Sequence, residues 1–568
     1  MYIHPEDVQA MEVCFLLTVN WMGLDYRFST VPIDVKTKDG QVLRYNGGLS
    51  DPSIEQSTSL MGLNIEQDNI SLELIFPGVN WIQEWLNGNT LSMADCVLAM
   101  IPMKEGYTSF TEEMKVNLFN GKVIDPIIGT PERPIGHIIF SITGEIKIKK
   151  MNLISSANLI DIYKYPGIDQ RSASFGEIIP SSVGKYVPFV FGQLGIYCQR
   201  SGAYAGIEFF QKTPVSPCYT INLLDYGNPY QLTRYVIAQG DVQAGYARVY
   251  DQDGGNFVNV VQLETDQDGN FISTTYYEQF SIIEDNDFNQ SLDSSAEYWV
   301  SWGEYAGGMK DSFTGQSLGP GGNLILYFLE LLKVQYSRQK WVGLVNVLNR
   351  YKFAGFINDP EVQVWEWLEE NILKYLPIEV FNGSEGLEPR LNLYYYTDEI
   401  HPAHYLEDNG LFEIITGLQP LDADVVNKVT VRFCYSEEQS QFLSSVTIDP
   451  TIEKTTSLEI SDPVAVLSYQ RYGLKEQTLE CPFIWDMDTA YRVARDIIRL
   501  KGLGVYGLEV QAAPQFGYLD VGQVIALTSE NLGLKEHKCQ IISKSWEDNQ
   551  WRYVLHLEAN PIVNPRLV

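Results

Sequence analysis

Apolar and polar residues alternate in short runs over the first 150 positions. Ile70-Ser-Leu-Glu-Leu-Ile-Phe76 places Ile70, Leu72, Leu74 and Phe76 on one face at period 2, the pattern of a half-buried strand. Val13 to Val19 is a compact apolar run. Asp39-Gly40, between Val35 and Val42-Leu-Arg-Tyr45, is a hairpin signal, because Asp-Gly tolerates the positive φ of a tight turn. Met114 to Phe119 reaches Asn120-Gly121, which predicts a turn, and Lys122-Val-Ile124 leaves it. Ile138 to Ile142 and Glu145 to Lys149 read as the closing strands, and Trp81–Leu86 and Ser92–Ala94 as short helical turns. Many short strands with tight turns predict a small barrel or sandwich over residues 1–150.

The alternation then fades. Residues 151–225 are rich in Gly, Pro, Ser and Tyr, and the apolar stretch Val183 to Gly192 lies between glycines. An irregular excursion is expected there, packing on a neighbouring subunit. Over 230–283 the strand pattern returns as two hairpins, turning at Asp251-Gln-Asp-Gly-Gly-Asn256 and Asp266-Gln-Asp-Gly-Asn270. Glu284 to Glu297 is an acidic linker. Residues 151–320 are thus an irregular and β-hairpin insertion region.

At Gly315 the period changes from 2 to 3.6. Leu324, Tyr327, Phe328, Leu331 and Leu332 form one helical stripe, and Trp341, Leu344, Val345 and Leu348 a second. Phe353 to Ile357 reads as a strand. Asp359 followed by Pro360 predicts a capped third helix carrying Val364, Trp365, Leu368, Ile372 and Leu376. Strands at Ile378 to Phe381 and Arg390 to Tyr396 complete an α+β module over 321–400. Residues 401–568 return to β, with one helix from about Thr489 to Lys501 that buries Ala490, Val493, Ala494, Ile497 and Ile498 and stops at Gly502. The predicted fold class is mainly β with α+β modules: two β-barrel-like, tube-type domains around a central α+β module.

Composition narrows the function. A chain of 568 residues implies roughly three to five domains. Its 45% hydrophobic content supplies several cores. No run of about 18 apolar residues reads as a membrane span, and the first residues lack the basic-then-apolar layout of a secretory signal, which predicts a chain used without export. The net charge of −32 disfavours tight phosphate binding. It suits either solubility or a lining past which nucleic acid slides. Seven widely spaced cysteines without a CxxC pair predict free buried thiols and no zinc ribbon or clustered iron–sulfur site.

Candidate chemistry is weighed against plainer readings. The two Asp-Gln-Asp-Gly turns resemble a calcium loop, but position 12 is Gln262 from Asp251 and Tyr277 from Asp266, so hairpin turns are favoured. His401 and His404 are separated by Pro402, which breaks the helix that would align them on a metal. Gly315 to Gly322 lacks the Lys-Ser/Thr of a phosphate loop and reads as a helix entry. Glu366, Glu369 and Glu370 share a helix and read as a solvated face, with a glycosidase pair as the alternative. The tryptophans 299, 302, 341, 365, 367, 485, 546 and 551 read as core or interface, with sugar stacking as the alternative. No catalytic, cofactor-binding or metal residue is assigned, and no cofactor is expected.

The C-terminal run resembles the baseplate or tail-tip hub proteins of tailed bacteriophages and related gene transfer agents. The resemblance rests on a helix followed by Leu519-Asp-Val-Gly-Gln-Val524, with Gln523 where Asp is more usual, then Gln540-Ile-Ile-Ser543 and Trp551 to Leu557. The 322–396 module is similar to that family's central region. Leu43-Arg-Tyr45, Ser53 to Ser59, Ile70 to Phe76 and Leu118-Phe-Asn-Gly-Lys122 resemble its first barrel. The resemblance covers about two thirds of the chain, rests on the order of modules, and leaves 151–320 uncovered. It implies a non-enzymatic virion protein, assembled in the host cytoplasm into the tail tip. It implies a homotrimer whose two barrel-like domains per subunit form a pseudo-sixfold ring. Implied partners are the distal tail protein or tail tube, the tape-measure protein, tail fibre or tip proteins, DNA only in transit through the lumen, and the host envelope indirectly. A carbohydrate-binding adhesin and a cell-wall-degrading glycoside hydrolase stand as alternatives.

Overall fold

The computed structural model describes residues 12–57, 69–75, 81–103, 110–130, 133–155, 158–160, 182–192, 316–383, 385–392, 401–421, 425–436, 440–452, 456 and 458–557, and between 216 and 309 the backbone of the strands. The architecture is mainly β.

The N-terminal strands bury alternate residues, as in Ile33–Lys36, where Ile33 and Val35 are buried and Asp34 and Lys36 exposed. Their ladders run in a circuit. Leu24–Ser29 pairs with Glu12–Trp21, then Asp95–Met103, Val116–Thr130, Arg133–Thr143 and Asn69–Ile75 follow in order. The return to Ser29 passes through Gly48–Ser50, by the bridge Leu49↔Leu74 and the bond from Leu49 N to Ser29 O. One bridge, not a full ladder, completes the circuit, so the unit is barrel-like without being a closed barrel. The Asp39-Gly40 turn is present, with Gly40 at φ +82°.

Asn120-Gly121 is not a turn: Val116–Thr130 runs through it as one strand. Gly121 is there for close approach, since a Cβ would lie 2.2 Å from Thr143 O. Glu145–Ile148 is a short helix, not a strand.

A second barrel-like circuit comprises Val505–Ala512, Val524–Ser529, Leu534–Glu547 and Gln550–Leu557. The segment 404–414 closes it by pairing first with Val524–Ser529 and then, past Asn409-Gly410, with Val505–Ala512. Both circuits share one apolar core, in which Phe15, Leu98, Phe119, Trp551 and Tyr553 are buried.

The other core belongs to the α+β part. Helices Gly321–Leu332, Arg338–Leu348 and Val364–Asn371 and the hairpin Ile378–Gly383/Gly386–Leu391 pack with a four-stranded sheet (Glu459–Ile460, Gln441–Ile448, Lys428–Ser436, Glu476–Cys481) and helices Pro463–Tyr472 and Met487–Lys501. Residues 401–568 therefore hold two sheets and two helices where one barrel-like unit with one helix was expected. The third helix of the module starts at Val364, not Pro360, because Val362 O and Val364 N bond to Leu153 and Met151 and hold 360–363 extended.

The apolar stretch before Gly192 packs within its own chain. Phe189–Phe191 pairs with Gly355–Ile357 and is buried against Tyr327, Phe328 and Trp367. In the insertion region a six-stranded sheet contains the expected hairpin Ala247–Asp251/Phe257–Val261; the turn at Asp266–Asn270 lies outside the described residues. Cys14, Cys96, Cys481 and Cys539 are free and buried, whereas Cys434 is disulfide-bonded, which departs from the expectation of free thiols.

Candidate functional site

Two joints organise the molecule, and each is built from the C-terminal run. The first is a seam between the barrel-like units. Ser53–Ser57 pairs with Asn69–Ile75 of its own unit and, by its other edge, with the distal half of Leu534–Glu547. Ser57, Gln56, Glu55 and Ile54 face Ser543, Lys544, Ser545 and Trp546. Ile54 is buried there, and Phe15 meets Trp546 edge-on at 5.3 Å. Shared ladder and shared core make the two units one continuous body.

The units also repeat one strand order. In the first, strand Asn69–Ile75, helix Trp81–Leu86, then strands Asp95–Met103, Val116–Thr130 and Arg133–Thr143 follow one another. In the second the order is strand Val505–Ala512, 3₁₀ turn Pro514–Tyr518, then Val524–Ser529, Leu534–Glu547 and Gln550–Leu557. In both, the first strand pairs with the last, the last with the long strand, and the long strand with the remaining one.

The second joint is a buried charge cluster at Asp520, which docks the hairpin 378–391 on the second unit. Leu519-Asp-Val-Gly-Gln523 is a tight loop with Gly522 at φ +78°. Gln523 Oε1 accepts the Asp520 N–H at 3.0 Å, so the residue that departs from the family pattern closes its own loop. Arg390 donates to the carbonyls of Asp520 and Val521 and to Asp520 Oδ2 at 3.3 Å, and its guanidinium lies 4.2 Å over the Phe381 ring. Lys544 donates to Gly517 O at 2.7 Å, with Asp520 Oδ1 3.7 Å away and the Trp551 ring 4.6 Å below. Glu388, fully buried, pairs with Lys340 at 2.5 Å and Arg390 at 3.5 Å. Gln540 donates to Gly522 O and Glu379 Oε2.

Burial is the main influence on these cations. It pushes Lys544 down to about 8 against the pull of Asp520, and lowers Arg390 against Asp520 and Glu388. Charges taken this far from water need partners of opposite sign, and here each has one. The cluster is a structural lock: no open face presents these groups to a substrate.

The residues singled out from sequence scatter. His401 is exposed, and His404 sits half-buried against Tyr518, ring centroids 4.8 Å apart, its pKa lowered by burial. Among the described residues no three His, Cys, Asp or Glu side chains gather as a metal site. Glu366 and Glu370 are exposed and Glu369 half-buried on the helix Val364–Asn371. Gly321 and Gly322 let their helix approach the next one, where Cβ atoms would meet Leu348 O at 3.1 Å and Val345 O at 2.9 Å. Trp341, Trp365, Trp367, Trp485 and Trp551 are core residues; the side chains of Trp299 and Trp302 lie outside the described residues. Arg390 and Lys544 were not singled out from sequence. The signal for Lys544 was a lysine inside the strand pattern after Gln540-Ile-Ile-Ser.

No protein-family profile and no curated protein matches the sequence. Among solved structures the chain is similar to the tail protein from Neisseria meningitidis MC58, at 8% identity and a TM-score of 0.36 over 96% of this chain and 97% of that one. It is similar to the 43 kDa tail protein of prophage MuSo2 from Shewanella oneidensis, at 11% identity and a TM-score of 0.30 over 96% and 98%. It is also similar to a chain in the virion of a native gene transfer agent particle, at 11% identity and a TM-score of 0.34 over 70% and 90%.

Proposed function

We propose that this chain is a structural virion protein, a hub subunit at the end of a phage-type tail. In this reading it seats on the distal tail protein or tube as a homotrimer, surrounds a lumen, and lets the tape-measure protein and then DNA pass. The observation that carries the reading is the duplicated barrel-like unit joined edge to edge within one chain. Three such chains supply six similar units, which matches a sixfold tube to a threefold tip. The sequence resemblance to tail hubs supports it, and the locked, closed character of the Asp520 cluster fits an assembly part better than a catalyst. A surplus of 72 acidic over 40 basic side chains suits a passage that must not retain phosphates. The test is the mass and image of the purified full-length chain, alone and with its tail partners. A threefold ring with a central opening is expected; a monomer that degrades cell-wall glycan would overturn the proposal.

A further inference from the structure

The two units coincide in register as well as in order. Ile142 faces both Ile70 and Val123, and Leu557 faces both Tyr506 and Cys539. One residue back, Ser141 faces Ile124 and His556 faces Gln540. The next residue stands against a bulge on the long strand in both units: Phe140 falls opposite Asp125 and Pro126, and Leu555 opposite Ile541 and the unpaired Ile542. Beyond it Ile139 faces Ile127 and Val554 faces Ser543. Ile127–Thr130 in the first unit is therefore the counterpart of Ser543–Trp546 in the second.

Ser543–Trp546 is where Ser53–Ser57 docks. On the counterpart edge, Ile127–Thr130, no strand pairs among the described residues, and Ile127 is 55% exposed. The docking strand has a counterpart as well. Ile54 faces Ile70, and Pro420 faces Tyr506, the residue equivalent to Ile70, so Gln419–Leu421 stands where Ser53–Ser57 stands. Its outer edge carries no strand among the described residues, and Ile415, Leu418 and Tyr506 around it are exposed apolar side chains. The chain thus contains one complete seam and, separately, the two unused halves of another.

Resting on the ring reading, we infer that the partner of this second seam is another copy of the same chain. Gln419–Leu421 of one subunit adds antiparallel to Ile127–Thr130 of the next, with Pro420 opposite Thr130 and Leu421 opposite Gly129. The contact is head-to-tail, so it generates a ring in which the internal and external seams alternate. Pro420 has no N–H to donate, which limits indiscriminate pairing at this edge. Main-chain bonds set the register, and the exposed apolar side chains supply the buried surface.

The test is a disulfide placed across the seam in the full-length chain. The double variant Thr130→Cys with Pro420→Cys should form covalent multimers on mild oxidation, while each single variant stays single-chain on a non-reducing gel. Ile127→Asp, an exposed position, should leave the circular dichroism melt unchanged and weaken self-association by about tenfold or more. An assembly of normal mass that neither cross-links nor responds to Ile127→Asp overturns this seam and leaves the hub reading standing. A cross-link confined within one chain also overturns it. A chain that stays monomeric at every concentration and with its tail partners overturns the seam and the ring together.

Discussion

At the residue scale, the charge cluster shows what sequence reading reaches and where it stops. Asp520 belongs to the loop motif that carried the resemblance. Its cations did not stand out, because Arg390 comes from 130 positions upstream and Lys544 from the middle of an apolar strand. Only the fold brings them together. Replacing Arg390 with Met leaves Asp520 and Glu388 short of a buried counter-charge and is expected to cost about 3–5 kcal/mol. A drop in the thermal or denaturant midpoint checks this; a loss below about 1 kcal/mol would show that Lys340 and Lys544 suffice alone. Two other groups set opposing pH dependences. Burial lowers His556 to about 4, so between about pH 4 and 6.5 the unfolded chain holds a proton that the folded chain does not, and stability rises with pH. Burial raises Asp496 to about 7 against its bond from the Tyr351 hydroxyl and the nearby Arg495, Arg499 and Arg492. The folded chain keeps that proton from about pH 4 to 7 while the unfolded chain loses it, so this contribution falls as pH rises. Asp496→Asn should therefore gain midpoint temperature over the parent progressively from pH 4 to 7.5; a constant difference would contradict the assignment.

At the element scale, one dipeptide produced two outcomes. Asp462-Pro463 opens a helix: Asp462 Oδ1 accepts from Val464 N and Ala465 N, and Pro463 occupies the first turn. Asp359-Pro360 carries the same signal and opens none, since the segment after it pairs with residues 151–153. The first was missed because Val464, Ala465 and Ser468 make a weak apolar stripe; the second was over-read because tertiary pairing overrode a local cap. Asp462→Ala should cost about 1 kcal/mol, while Asp359→Ala should leave the helix Val364–Asn371 intact by amide exchange. Glycine divides likewise. Gly40 was legible as a turn, but Gly121 looked like one and instead admits the Thr143 carbonyl. Gly121→Ala, with its Cβ 2.2 Å from that oxygen, should destabilise by about 1–3 kcal/mol, measurable by denaturant titration.

At the scale of the whole molecule, strands and their alternation were legible, and so was the presence of a barrel-like unit at each end. The exact repeat was not. In the second unit residues 425–503 intervene between Gln419–Leu421 and Val505–Ala512, so two strands that pair in space stand far apart in sequence and their correspondence to Ser53–Ser57 and Asn69–Ile75 is hidden. Net charge then governs how copies meet. Each carries −32, so approach is repulsive, while the proposed seam offers apolar residues and main-chain groups that do not depend on opposite charge. Screening shortens from about 30 Å at 0.01 M salt to about 8 Å at 0.15 M. Added salt should therefore raise the oligomeric fraction, read as mass distributions at fixed protein concentration across that range. Ion pairs across the seam would give the opposite slope, because screening weakens them first. A fall in oligomer with salt would thus reassign the contact from an apolar strand edge to a charged surface elsewhere on the ring.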